Sequence, residues 1–382
     1  MNFEFATAGR ILFGPGVLRQ IGPLAAAMGR SALIVSGRPA AALEPLRRVL
    51  EAQQVALFAV SGEPTVEVIR EGVAAVRTAG SDLVIGFGGG SALDAGKAIA
   101  ALAANPGDVL EYLEVIGGGK SLTQAPLPFI AIPTTAGTGS EVTRNAVIAS
   151  PEYRVKVSLR SPLMLPRLAL VDPELTLSLP AAVTASTGLD ALTQLIEPYT
   201  CNVPNPLLDP LCEEGIRRIA RSMEVACREG SDLQAREDMA LASLLGGLAL
   251  ANARLGAVHG IAGPLGGMFP APHGAVCAAL LPHVMAANIR ALHERTAESP
   301  AMKRYDKIAQ LLTGSPSARA DEGAAWVAAL VRQLHIPALA HWGVTAADLP
   351  ELIDKSTRAS SMKGNPLPLT PTELHAVLIR AL

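Results

Sequence analysis

The rhythm of hydrophobic and polar positions changes near the middle of this chain. In the first half, short apolar runs recur between glycine, proline and polar clusters: SALIVS at 31–36, VALFAV at 55–60, DLVIGF at 82–87 and PFIAIP at 128–133. Runs of that length, apolar at successive positions, read as strands buried on both faces, as in a parallel sheet. Between them the spacing is helical. Thr65 can cap a helix over Val66–Thr78, whose Val66, Ile69, Val73 and Val76 share one face. An Ala-rich helix is expected after Gly37 through about Gln53, another over Ala92–Ala104, and a short hairpin-like start over 3–15. Alternating strands and helices predict an α/β domain with a parallel sheet. From about Pro180 onward the periodicity is helical and no convincing strand appears. The expected boundary lies there, giving 1–180 as an α/β domain and 181–382 as an all-α domain.

Composition adds limits to this picture. The chain has 382 residues, 49% hydrophobic and 17% charged, enough for a large core in two domains. Aromatics are only 3%, so the core is built from small side chains. A formal charge of −2 argues against nucleic-acid or anionic-membrane binding through bulk charge. Cys201, Cys212, Cys227 and Cys277 show no CxxC spacing and no disulfide framework, which suits a reduced, cytoplasmic setting. The start MNFEFATAGRILFG places charges where a signal peptide needs an apolar run, so export is not expected. The apolar stretch from Met239 to Met268 is interrupted by Arg254, His259, Pro264 and glycines; a buried helix-turn-helix is expected rather than a membrane span.

Two loops sit where an α/β sheet places ligands, at the carboxyl ends of strands. Gly86-Phe87-Gly88-Gly89-Gly90-Ser91 follows a strand and opens a helix. Glycines there let backbone N–H groups and the helix dipole approach a pyrophosphate. The loop departs from the dinucleotide fingerprint, since Ser91 stands where a third glycine would be. It is no Walker A loop either, because Ala98 lacks the metal-binding hydroxyl. The second loop, TTAGTGSEVT, brings Thr134, Thr135 and Thr138 to another strand end as a second wall for a nucleotide. The first strand ends Ser36-Gly37-Arg38, with no carboxylate to grip ribose hydroxyls and an arginine available for a 2′-phosphate. The lean is therefore to NADP over NAD.

In the second half, LGAVHGIAGPLGGMFPAPHG at 255–274 carries His259 and His273 in the most apolar part of the chain. The helix that opens with cap residues at Ser186-Thr187 carries Asp190, with Gln194 four positions on and on the same face. A buried carboxylate or imidazole needs a partner. Paired core histidines and a capping Asp190 are one reading. A metal bound by two imidazoles and a carboxylate, Fe(II) or Zn(II), is the other.

At this point a resemblance decides between them. GGGSALDAGKA at 88–98, PTTAGTGSEVT at 133–143, Lys156 within RVKVSLRSPLMLPRLALVDPELT, TGLDALTQLIEPY at 187–199 and the 255–274 stretch together resemble the iron-containing (group III) alcohol dehydrogenases, within the dehydroquinate synthase-like superfamily. The resemblance implies a Rossmann-like N-terminal dinucleotide-binding domain, an all-α C-terminal metal and substrate domain, and an active-site cleft between them. It implies metal ligands at Asp190, position 194, His259 and His273, of which Asp190, His259 and His273 are catalytic. Gly37, Arg38, Gly88, Gly89, Gly90, Ser91, Asp94, Thr134, Thr135, Thr138 and Lys156 would bind the NAD(P) cofactor. Two departures stand out. Position 194, usually histidine, is Gln194, a poorer ligand for iron or zinc. Position 263, commonly a histidine, is Gly263, which removes a proton relay and opens space. The implied activity is metal-assisted hydride transfer between a nicotinamide and a small-molecule alcohol or aldehyde, in a cytoplasmic homodimer without nucleic-acid or membrane partners. Alternatives on the same scaffold are a maleylacetate reductase-like reductase, a dehydroquinate synthase-like lyase, and a dinucleotide-binding protein with a decayed metal site.

Overall fold

A computed structural model describes residues 2–50 and 53–382. The chain forms two compact units. One comprises residues 6–135 and 139–177; the other comprises 178–382 with 136–138 and the first few residues.

The first unit is α/β. Its strands are β1 (Ile11–Phe13), β2 (Ser31–Ser36), β3 (Gln54–Ala59), β4 (Leu83–Gly88), β5 (Phe129–Pro133), β6 (Asn145–Ser150), β7 (Val155–Arg160) and β8 (Leu168–Val171). Six of them make one sheet in the order β1-β8-β5-β4-β2-β3, with every pairing parallel. Helices α1 (Ile21–Ala26), α2 (Glu44–Val49), α3 (Val66–Ala79), α4 (Gly90–Ala104) and the single turn α5 (Val109–Tyr112) connect the strands. The alternation of side chains shows why β2 and β4 are apolar throughout. Leu33, Val35 and Val84 enter one core cluster, while Ala32, Ile34, Leu83, Ile85 and Phe87 enter the other. Both faces are covered, as a parallel sheet requires. The Thr65 hydroxyl accepts from the Val68 amide at 3.3 Å to start α3, and Gly80 at φ 61° ends it. Val66, Ile69, Val73 and Val76 are all buried, as the spacing predicts.

Several local expectations need correction. Residues 3–15 form no hairpin: β1 pairs in parallel with β8, Ile11 opposite Ala169. Asp172, just after β8, fixes this edge by accepting from the Gly16 and Leu18 amides at 3.0 Å each. The helix expected after Gly37 breaks into a 3₁₀ turn, Ala40–Leu43, followed by α2; its expected end includes Glu51 and Ala52, which lie outside the described residues. The antiparallel pair β6–β7 and strand β8 were not apparent in the apolar pattern. Their runs are short or interrupted by polar positions.

The second unit is helical and, among its described residues from 178 onward, contains no strand. Its helices are α6 (Ala181–Thr200), α7 (Asp209–Arg228), α8 (Leu233–Asn252), α9 (Ala257–Met268), α10 (His273–Thr296), α11 (Pro300–Thr313), α12 (Ala320–Gln333), α13 (Leu349–Arg358) and α14 (Pro371–Ala381). Helix α6 begins at Ala181 behind Pro180, so Ser186 and Thr187 lie inside it and do not cap it. Asp190 is thus a mid-helix residue, too far from the first turn to serve the dipole there. Helices α8 and α9 are bent by 92° at their junction, which gives the expected helix-turn-helix. Helix α10 is long and apolar enough to cross a membrane, but 83% of its apolar window is buried inside the protein. Packing against neighbouring helices accounts for that apolar character.

Candidate active site

In the helical unit, α6, α9 and α10 bring four side chains together. Asp190 and His259 are 1% and 7% exposed, Cys277 is fully buried, and His273, the first residue of α10, is partly open. One potential ligand atom from each falls within 4.8 Å of the others. Asp190 Oδ1 lies 3.7 Å from His259 Nε2 and 3.8 Å from His273 Nε2. These separations exceed hydrogen-bond length. The two imidazole centroids are 5.4 Å apart.

Three buried atoms here, Asp190 Oδ1, Gln194 Oε1 and His259 Nε2, have no hydrogen-bond partner among the described residues. Leaving a buried polar atom unsatisfied costs about 1–3 kcal/mol, more for a charged group. Two imidazoles, a carboxylate and an amide oxygen are a donor set that suits a divalent transition-metal ion, which would answer all three atoms. The residues present fit a metal.

The ring of His259 is held from behind. Its Nδ1 is 2.6 Å from Glu197 Oε2, while Glu197 Oε1 accepts from the Val258 amide at 2.7 Å. Nδ1–H donation to Glu197 leaves Nε2 facing Asp190 and His273, the arrangement that orients a ligating imidazole. Asn365 Oδ1 accepts from the Ala257 amide at 3.1 Å, so side chains meet the first two N–H groups of α9. Burial works against charging His259, but the Glu197 and Asp190 carboxylates outweigh it and push the imidazolium up to about 10. Burial likewise opposes the Asp190 anion, yet His273, His259 and Gln194 hold its carboxyl below the ordinary range. A metal at Nε2 would have to displace any proton held there, so that binding would compete with protons.

Glu197 and Cys277 were not singled out from the sequence. Glu197 lies seven residues after Asp190 and three after Gln194, completing a polar stripe on an apolar helix. Cys277 lies four after His273, on the same face of α10. Both spacings were available signals.

In the α/β unit the expected cofactor residues fall into groups. The chain steps from β2 out to β3 and back across to β4, so the sheet order reverses between β2 and β4. Such a switch point is where α/β sheets bind ligands. Gly37 follows β2, and a Cβ built on Gly88 would come 3.8 Å from the Gly37 nitrogen and 2.8 Å from Ala92 Cβ. With φ at 159°, Gly88 lets the chain turn into α4 at this close approach. Helix α4 starts at Gly90 with no side-chain cap on Gly89, so its first N–H groups remain for an anion. Thr134 donates its amide to the Gly88 carbonyl at 2.9 Å, and the Thr135 side chain stands 3.4 Å from a Cβ built on Gly89. Gly37, Gly88, Gly89, Gly90, Ser91, Thr134 and Thr135 therefore share one neighbourhood. Arg38 follows directly, half-buried, its amide donating to Ser36 Oγ at 3.1 Å.

The remaining three are placed differently. Asp94 is engaged internally: it accepts from Ser140 Oγ at 2.5 Å and the Val147 amide at 2.9 Å, and pairs with Lys97 at 3.1 Å. Lys156, on β7, is paired with Glu63 at 2.6 Å. Thr138 belongs to the segment grouped with the helical unit. Lys97 is fully buried and also donates to the Ser140 carbonyl at 3.0 Å and Thr143 Oγ1 at 2.8 Å, tying α4 to the threonine-rich loop.

Comparison with known proteins finds one family over both units. Residues 8–173 match the family described as iron-containing alcohol dehydrogenase, and residues 184–382 match the C-terminal part of the Fe-containing alcohol dehydrogenase family. The chain is 36% identical over 392 aligned residues to 1,3-propanediol dehydrogenase of Klebsiella pneumoniae, covering 99% of this chain and 98% of that protein. It is 37% identical to long-chain-alcohol dehydrogenase 1 of Geobacillus thermodenitrificans, over 96% and 95% of the two chains. Among solved structures, a 1,3-propanediol oxidoreductase superposes with a TM-score of 0.92 at 34% identity, covering 100% of both chains. Sulfoacetaldehyde reductase from Bifidobacterium kashiwanohense, in complex with NAD+, superposes at 0.88 with 28% identity, over 99% and 98%. The chain belongs to the iron-containing alcohol dehydrogenase family.

Proposed function

We propose a division of labour among the residues of this enzyme, an oxidoreductase acting on CH–OH groups with a nicotinamide cofactor. Gly88 and Gly89 make the tight turn that lets the pyrophosphate approach, and Gly90 and Ser91 offer it uncapped backbone N–H groups at the start of α4. Thr134, Thr135 and Thr138 line the ribose and nicotinamide, and Lys156 reaches a ribose hydroxyl. Asp94 supports the pyrophosphate loop through Ser140 and Lys97. Gly37 leaves room for the adenosine end, and Arg38, with no carboxylate at the end of β2, favours NADP.

Asp190, Gln194, His259 and His273 hold the metal. A bound Fe(II) or Zn(II) ion supplies Lewis acidity, polarising a carbonyl oxygen and stabilising the alkoxide charge. Glu197 keeps His259 in the tautomer whose Nε2 ligates. Gly263 contributes no proton-bearing side chain, and a Cβ placed there meets nothing within 4 Å. That open space admits an alcohol or aldehyde bulkier than the shortest ones. The acting form is a cytoplasmic homodimer.

The observation that carries this reading is the set of three buried, unsatisfied donor atoms on α6 and α9. Protein purified without chelator is expected to contain about one iron or zinc per chain. It is also expected to change the reduced-nicotinamide absorbance with alcohols or aldehydes, more efficiently with NADP than with NAD. Turnover of a cyclic substrate with no net nicotinamide change would point to the lyase alternative. Dinucleotide binding without turnover under any metal would leave a decayed site.

A further inference from the structure

We infer that Cys277 is a metal ligand in this chain, taking the coordination place that Gln194 fills poorly. The set then becomes one carboxylate, two imidazoles and one thiolate, which favours zinc over iron(II). This inference rests on the metal-holding role proposed for Asp190, His259 and His273.

A buried cysteine is ordinarily a small apolar core residue. Cys277 has different neighbours. It is fully buried on α10, one turn beyond His273, with Sγ 3.6 Å from His273 Nε2. Its sulfur joins Asp190 and His259 in a group whose ligand atoms all lie within 4.8 Å. A tetrahedral site with bonds of about 2.3 Å to sulfur and 2.0–2.1 Å to nitrogen has an S···N edge of about 3.6 Å. The His273–Cys277 pair already has that spacing. The Asp190–His259 and Asp190–His273 separations of 3.7 and 3.8 Å are a few tenths wider than an ideal N···O edge. A small inward movement closes them.

Independent observations mark the same spot as a ligand site. Asp190 Oδ1 and His259 Nε2 are unsatisfied atoms on side chains more than nine-tenths buried. Gln194 Oε1 is unsatisfied too, but a neutral amide oxygen is a weak donor to transition metals. A thiolate is softer, carries charge and suits zinc. Ligation releases the thiol proton to solvent and offsets one positive charge of the ion.

The test is spectroscopic and uses the full-length chain loaded with Co(II) in place of its metal. The wild type is expected to show a near-ultraviolet sulfur-to-cobalt charge-transfer band alongside the visible cobalt transitions. The band should vanish in both Cys277→Ser and Cys277→Ala and persist in Gln194→Ala, with circular dichroism verifying that each variant is folded. In chelator competition, zinc affinity should fall at least about tenfold in Cys277→Ser, more than iron(II) affinity does. Cobalt bound through His259, shown by its loss in His259→Ala, yet without the sulfur band, would overturn the role of Cys277 and leave the metal site standing. Absence of any bound cobalt in the wild type would overturn both.

Discussion

The two units treat the buried charged groups near their candidate binding residues in opposite ways. In the α/β unit the buried charges beside the threonine-rich loop are closed on one another. Lys97, without solvent contact, reaches Asp94, the Ser140 carbonyl and Thr143, while Asp94 also accepts from Ser140 and Val147. What remains available to a ligand there is backbone: the amides at the uncapped start of α4. In the helical unit, Asp190, Gln194 and His259 keep buried atoms with no partner. One region binds by leaving main chain exposed at a rigid turn. The other binds by keeping side chains unsatisfied until something arrives. Free energy given up in the second region is recovered when the ligand enters.

This contrast predicts where substitutions act. Lys97→Ala should have the largest effect on stability, about 3–5 kcal/mol, because it leaves Asp94 partly unpaired in the interior. Urea unfolding of the variant should show it, and a loss under 1 kcal/mol would mean that the cluster is not structurally coupled. Glu197→Gln should act mainly on the metal. Metal affinity should drop about 10–100-fold, as for other groups that orient a ligating imidazole. Chelator competition reads this, and a shift confined to unfolding with unchanged affinity would reduce Glu197 to a helix cap. A third effect, on stability alone, concerns Glu141, buried beside Lys97. Burial pushes its carboxyl up to about 7 against the opposing pull of its own backbone amide and Lys97. The folded chain therefore holds this proton more tightly than the unfolded chain, whose carboxyl titrates near 4.5. Stability should fall as pH rises between those values, by roughly 1–3 kcal/mol, and level off above. Glu141→Gln should flatten that slope, measured as unfolding midpoints across pH 4.5–7.5.

Much of the α/β fold was legible because its signals are local. Thr65 and the Val66, Ile69, Val73, Val76 face define α3 without reference to anything distant, and SALIVS is apolar at enough positions to be buried on both sides. β1 is not legible in the pattern because three residues, Ile11–Phe13, carry no pairing information; the partner is β8, at Leu168–Val171. The start of α6 is hidden because Ser186 and Thr187 resemble caps. Their hydroxyls instead bond back to the Val183 carbonyl within the helix, at 3.2 and 2.8 Å. At the site, Asp190, His259 and His273 stood out as polar residues in apolar stretches. Glu197 did not, because its meaning depends on α9 folding across α6. Cys277 reads as core until His273 is seen one turn before it.

The double attachment of Glu197 has a further consequence. One carboxylate oxygen is committed to the imidazole of His259 and the other to the amide of Val258. Any change in the electron demand on that imidazole, whether from a proton or an ion on its far nitrogen, alters how strongly the carboxylate grips the main chain at the start of α9. The exchange of a single backbone hydrogen, that of Val258, thereby becomes a gauge of what occupies the ligand cluster. The bent junction between α8 and α9 ends at this hydrogen bond, so the corner of the helical unit is fastened by the same group that aims its chemistry.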